Sequence, residues 1–189
     1  MKFRRIQYHN YRCFQDVDVS FETQGNKNMT LIGGAIGGGK TEMLFSFHWV
    51  LYGFDFKSLR AKGAIPWAIN TSRYYALQNG KPGDLDSCSV TLTFEEDGLT
   101  YIVKRTEKYE KKEINVVSHQ EIELSHKNAN GVKSLPIRDA KEIQNILSRI
   151  IPQNILYGII FDGERMNAIN SQDEAAIRAI QGVINQITN

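Results

Sequence analysis

Met29-Thr30-Leu31-Ile32-Gly33-Gly34-Ala35-Ile36-Gly37-Gly38-Gly39-Lys40-Thr41 is a short apolar run that enters a glycine cluster and leaves it on Lys-Thr. Gly34 to Thr41 fit the Walker A pattern GxxxxGK[ST] without a mismatch. Both flanks agree with it: residues 29–32 read as a strand. The stretch from Lys40 to Leu51, rich in apolar residues and free of Gly and Pro, reads as a buried helix. Such a loop lets backbone N–H groups converge on phosphates, and the helix N-terminus adds partial positive charge. Gly34, Gly37, Gly38, Gly39 and Lys40 are therefore candidate ATP ligands. Lys40 would reach the β and γ phosphates, and the Thr41 hydroxyl would ligate Mg2+.

Upstream, Phe3, Ile6 and Tyr8 sit in one mixed run, and Val17, Val19 and Phe21 alternate with polar residues in a second, which reads as strand, turn, strand. Downstream, residues 53–86 show no period beyond a short helix near Tyr74 to Leu77. Two alternating runs then flank Glu96-Asp97-Gly98 between Ser89 and Val103. An Asp-Gly pair between strands is a strong hairpin signal because both residues tolerate positive φ. A further strand pair is expected around 114–117 and 122–124, which makes the middle of the chain an antiparallel sheet. Ile143, Ile146, Leu147 and Ile150 recur at helical spacing after Pro136, and Pro152 closes that helix. A strand over 155–161 runs into Asp162-Gly163-Glu164.

That acidic element has two readings. As a Walker B strand it puts Asp162 on the magnesium shell and makes Glu164 the base for water. As a Q-loop it puts a polar strand end beside metal and attacking water. Either places Asp162 near the γ phosphate, and an acidic turn capping a buried strand is the plain alternative. The tail opens on Ser171-Gln172-Asp173-Glu174, a capping box, and carries Ile177, Ile180, Ile184 and Ile187 in a heptad-like seam. Such a seam serves an amphipathic helix as well as a coiled coil.

Composition narrows the class without naming a partner. With 189 residues, 41% apolar and 23% charged, the chain is long enough for one real core. A net charge of +2 says nothing about nucleic acid, because phosphate recognition depends on clustered cations. Lys2, Arg4, Arg5 and the run Lys104 to Lys112 are candidate DNA contacts, but Glu107, Glu110 and Glu113 interleave the run, which then reads as a solvated strand face. Cys13 and Cys88 lack metal-ligand spacing and read as buried or idle thiols. The four histidines show no catalytic pairing, and His48 reads as a packed core residue. No run is long and apolar enough for a membrane span, so a cytoplasmic address and no membrane partner are expected.

With these elements placed, the chain resembles the N-terminal lobe of SMC-like ATPases, the class that includes SbcC-type repair ATPases and the DndD proteins of DNA phosphorothioation. Asn10-Tyr11-Arg12-Cys13-Phe14 before an alternating strand is similar to the N-F-R-x-F opening of that class, whose arginine lies against the nucleotide. Trp49-Val50-Leu51-Tyr52-Gly53 is similar to the A-L-Y-G that closes the Walker A helix in DndD-like proteins, and Ile160-Phe161-Asp162-Gly163-Glu164-Arg165-Met166 to their F-F-D-G-E-K-I segment.

The resemblance implies an α/β fold, an ABC/SMC-type P-loop ATPase N-terminal lobe, with an antiparallel β-sheet part and a mixed sheet around the Walker A helix. It implies a lobe over 1–170 and a coiled-coil root over 171–189, and it favours the Q-loop reading of Asp162. It also adds Arg12 to the nucleotide ligands. Asp162 stands where repair ATPases carry glutamine, and Glu42 stands where Thr or Ser is common. The class completes its site with a signature motif and Walker B from a C-terminal lobe, neither of which is found in these residues. The implied partners are that lobe, a head-to-head homodimer, DNA, and DNA-modification or nuclease proteins. A self-sufficient P-loop NTPase or kinase using Asp162 and Glu164 as Walker B, and an ATP-responsive scaffold without hydrolysis, are the competing functions.

Overall fold

A computed structural model describes residues 1–21, 30–53, 66–153 and 156 of the chain. Its frame is one five-stranded antiparallel sheet in the order β2-β1-β3-β4-β5. The strands are β1 (Lys2–Tyr11), β2 (Phe14–Ser20), β3 (Leu85–Glu96), β4 (Leu99–Lys111) and β5 (Val116–Lys127). Period-2 alternation sends Ile6 and Tyr8, then Cys88, Val90, Leu92 and Phe94, then Val103 and Tyr109, to one buried face. The expected Asp-Gly hairpin joins β3 to β4: Asp97 (φ 49°) and Gly98 (φ 74°) are both left-handed, as a two-residue primed turn requires.

Three helices complete the described residues: α1 (Lys40–Tyr52), α2 (Thr71–Gln78) and α3 (Ala140–Ile150). Ser46 to Leu51 of α1 are buried without interruption, which fits a helix apolar nearly all round. Phe47 packs edge-on against Phe3 at 5.1 Å, and Trp49 lies 5.2 Å from Tyr11. His48 is buried, as expected of a packed core residue. α3 starts where Asp139 accepts from the Glu142 N–H at 2.8 Å and buries Ile143 and Leu147. The Tyr52 hydroxyl donates to the Ile151 carbonyl and ties the ends of α1 and α3 together.

Several expectations need correction. The strand pair foreseen at 114–117 and 122–124 is one continuous strand. Ser118 to Glu121 carry no apolar signal, yet they ladder with Thr106 to Tyr109 through backbone groups. No strand covers Thr30 to Ala35, and Leu31 is 92% exposed. A strand is a pairing property, and no neighbour among the described residues pairs with this stretch. The mixed sheet around the Walker A helix is therefore not seen: the sheet formed by the described residues is wholly antiparallel. The strand expected over 155–161, Asp162, Glu164 and the helix over 171–189 lie outside the described residues. The run Lys104 to Lys112 is also no uniformly solvated face. Lys104 and Lys108 are exposed, whereas Arg105, Glu107 and Lys111 are buried, because alternate residues of β4 turn toward the core.

Candidate functional site

The Walker A residues form an exposed loop that ends on α1. Gly37 (φ 79°) and Gly39 (φ 84°) are left-handed, and the Gly38 N–H donates to the Ala35 carbonyl at 3.1 Å, which turns the loop. Gly39 is the N-cap of α1, and no side chain caps the helix there. The first-turn N–H donors thus face the loop instead of a capping oxygen. Lys40 Nζ donates to the Gly34 and Ala35 carbonyls, each at 2.8 Å, so its ammonium sits across the mouth of the loop. Thr41 is exposed on the first turn beside it.

Gly39 is required twice over. Besides its φ, a Cβ there would lie 2.7 Å from Cys13 Sγ and 3.0 Å from Phe14 Cζ. The β1–β2 turn therefore forms the floor of the loop, and this brings Arg12 to the site. Arg12 is buried with its Nε 3.8 Å from Glu42 Oε2, one residue beyond Thr41. Cys13, expected to be a buried or idle thiol, is exposed in the floor. Burial first, and the Glu42 carboxylate second, raise its pKa.

The turn is held in an uncommon shape. Asn10 (φ 50°) and Arg12 (φ 51°) are both left-handed. Residues 68–70 strap them down: the Arg12 N–H donates to the Ala68 carbonyl at 2.9 Å, the Asn70 N–H to the Asn10 carbonyl at 2.8 Å, and Asn70 Nδ2 to the Arg12 carbonyl at 2.7 Å. Tyr109 fixes the strap in turn, its hydroxyl accepting from the Ala68 N–H at 2.9 Å and the Ile69 N–H at 3.3 Å. Burial drives the Tyr109 phenol far above its ordinary pKa.

The structure thus gathers Arg12, Gly34, Gly37, Gly38, Gly39, Lys40 and Thr41 around one helix N-terminus, while Asp162 and Glu164 lie outside the described residues. Sequence reasoning missed Glu42, Asn70 and the Tyr109 strap. Asn70-Thr71-Ser72 carried a usable signal, because Asn70 also caps α2 by accepting from the Ser72 N–H at 3.0 Å. Glu42 carried a weaker one, an acid in a first helical turn. Among the described residues, no group of His, Cys, Asp or Glu could hold a metal ion, and no helix is long and apolar enough to cross a membrane.

Comparison with known proteins bears on the family and the fold. Residues 5–188 match the model of the AAA domain family. No curated protein matches the chain. Among solved structures, one from work on ATP-driven dimerization and DNA-stimulated activation of SMC ATPases superposes with a TM-score of 0.57 at 19% identity. The match covers 97% of this chain and 99% of that one, so the fold is that of an SMC ATPase structure.

Proposed function

The chain belongs to the AAA domain family, and from that premise we propose that it is the ATP-binding half of a DNA-acting SMC-like ATPase. One observation carries the reading: a loop matching GxxxxGK[ST] ends on a helix whose N-terminus no side chain caps, with Lys40 across its mouth. Phosphate oxygens would replace the Gly34 and Ala35 carbonyls as partners of the ammonium and would take up the first-turn N–H donors. The donor set fits a nucleotide with Mg2+, the Thr41 hydroxyl holding the ion and Arg12 adding charge from the floor. The metal would draw off the charge that develops on the phosphates. We assign Asp162 to the metal or its water and Glu164 to the attacking water.

Residues 1–170 form the lobe in this reading, and 171–189 root a coiled coil. A C-terminal lobe and a second head complete the site, so that ATP drives head-to-head engagement in the cytoplasm during DNA modification, restriction or repair. Phosphoryl transfer depends on donors organised around the developing charge, and a half-site leaves one side of it to water. The test is a steady-state ATPase assay. The chain alone should bind ATP and turn it over negligibly, and activity should appear steeply with protein concentration once the complementary lobe is supplied. Multiple turnovers by the isolated chain at a rate independent of its concentration would overturn the proposal in favour of a self-sufficient NTPase.

A further inference from the structure

A second site-like feature lies outside the Walker A loop, between α2 and the β4–β5 ladder. It is a cleft of about 290 Å³ lined by Trp67, Tyr74, Glu107, Tyr109, Val116 and Ser118. Its wall is aromatic: the Trp67 and Tyr74 rings stack at 3.8 Å and 4°, and Tyr109 meets Tyr74 edge-on at 6.3 Å.

The polar groups in that wall are incompletely matched. Glu107 is 7% exposed and accepts from Gln120 Nε2 at 3.2 Å, with no cation at ion-pair distance among the described residues. Arg105, two residues away on the same strand face, attracts Glu107 electrostatically but turns its Nε to the Val50 carbonyl at 3.3 Å and makes no ion pair with it. Trp67 Nε1 is buried and has no acceptor among the described residues. A carboxylate held away from water calls for a positive partner, and the faces of aromatic rings attract cations. The buried indole N–H calls for an acceptor near that cation.

A planar cation with several donors, carried beside a carbonyl, meets all three demands, and arginine in a polypeptide has that form. The neighbouring strand favours a polypeptide source. β5 is a sheet edge, and the bridges to Ile137 and Lys133 cover only its second half. Val116 to Glu121 pair with β4 alone among the described residues, and Val116 and Ser118 line the cleft. An extended segment adding to that edge would deliver alternate side chains to the cleft.

We propose that this cleft is a docking site for an arginine side chain of a partner polypeptide, its guanidinium on Glu107 against the aromatic wall and its carbonyl on Trp67 Nε1. The probe is N-acetyl-arginine methylamide, titrated into the full chain with tryptophan fluorescence as readout. The response should saturate, with a Kd on the order of millimolar for so small a ligand. N-acetyl-lysine methylamide should bind roughly fivefold more weakly or worse. Trp67→Phe should abolish the response, because Trp49 is wholly buried. Glu107→Gln should weaken binding about tenfold. Ser118→Tyr, at an exposed position where a strand accepts tyrosine, should block the cleft with secondary structure and melting temperature unchanged. No saturable response, equal affinity for the lysine probe, or an undiminished response in folded Ser118→Tyr would each overturn the proposal.

Discussion

The two ends of α1 are built on opposite terms. At the N-terminal end the loop is exposed, the cap is a left-handed glycine and no side chain takes up the first N–H groups. At the C-terminal end Ser46 to Leu51 are buried, the Gly53 N–H donates to the Trp49 carbonyl at 2.8 Å and Arg105 donates to the Val50 carbonyl. One end leaves its backbone donors without a side-chain cap, and the other satisfies its carbonyls from the protein. The contrast teaches that the helix is anchored from behind: packing of its second half lets its first turn stay uncapped.

The largest effect should come from the anchored end. Trp49→Ala empties a wholly buried site and should cost about 3–5 kcal/mol in denaturant unfolding. A loss below about 1 kcal/mol would break the comparison. Gly53→Ala should cost about 2 kcal/mol, because alanine is strained at φ 65° and its Cβ would lie 2.7 Å from the Arg105 guanidinium. A stable Gly53→Ala protein would show that Arg105 is not fixed under the helix.

Alkaline pH tests the core beneath α1. Burial raises the pKa of the Cys88 thiol, so folded Cys88 keeps a proton that the unfolded chain releases from about pH 9. This contribution is whole below that pH and is lost as pH rises, by roughly 1.4 kcal/mol per unit. Buried Tyr11 and Tyr109 extend the loss from about pH 10. Urea midpoints at pH 8 and pH 10 measure it, and Cys88→Ala should remove most of the share that begins near pH 9, the Cys13 thiol accounting for the rest.

The smallest effect on stability belongs to the open end. Lys40→Ala should change unfolding by no more than about 0.5 kcal/mol, since its ammonium only satisfies exposed loop carbonyls. Calorimetric titration with ATP and Mg2+ should nevertheless find binding abolished. Unchanged affinity would remove the Walker A assignment.

What could be read from residues alone followed the range of the interaction. The Asp97-Gly98 turn, α1 and α3 depend on neighbours a few positions away, and their residues announce them. The loop before α1 was legible for the same reason, because its glycines and Lys40 form one contiguous pattern. The strap of residues 68–70 was not, because its bonds join residues far apart in the chain: two run between backbone groups, and the Asn70 and Tyr109 side chains that make the others find their partners only in the fold. The single strand β5 was hidden because Ser118 to Glu121 have no buried face to mark them. The strand expected at 29–32 shows the reverse error: an apolar run supplies the residues for a strand but not its partner.

The strap also bears on the order of folding. The β3–β4–β5 meander closes through short turns, and hairpins form in about 1–10 μs. The loop's floor depends instead on β1 reaching β3, with Tyr8 opposite Val90, and on Tyr11 finding Ile69. Pairings between such distant residues must meet their loop-closure entropy before any contact rewards them. The β1–β2 turn itself is local, but its docking on β3 and on the strap is expected to follow the meander. The β3–β4–β5 meander can therefore stand before the Gly39 loop has its floor, and a ligand of that loop would reward only the finished fold.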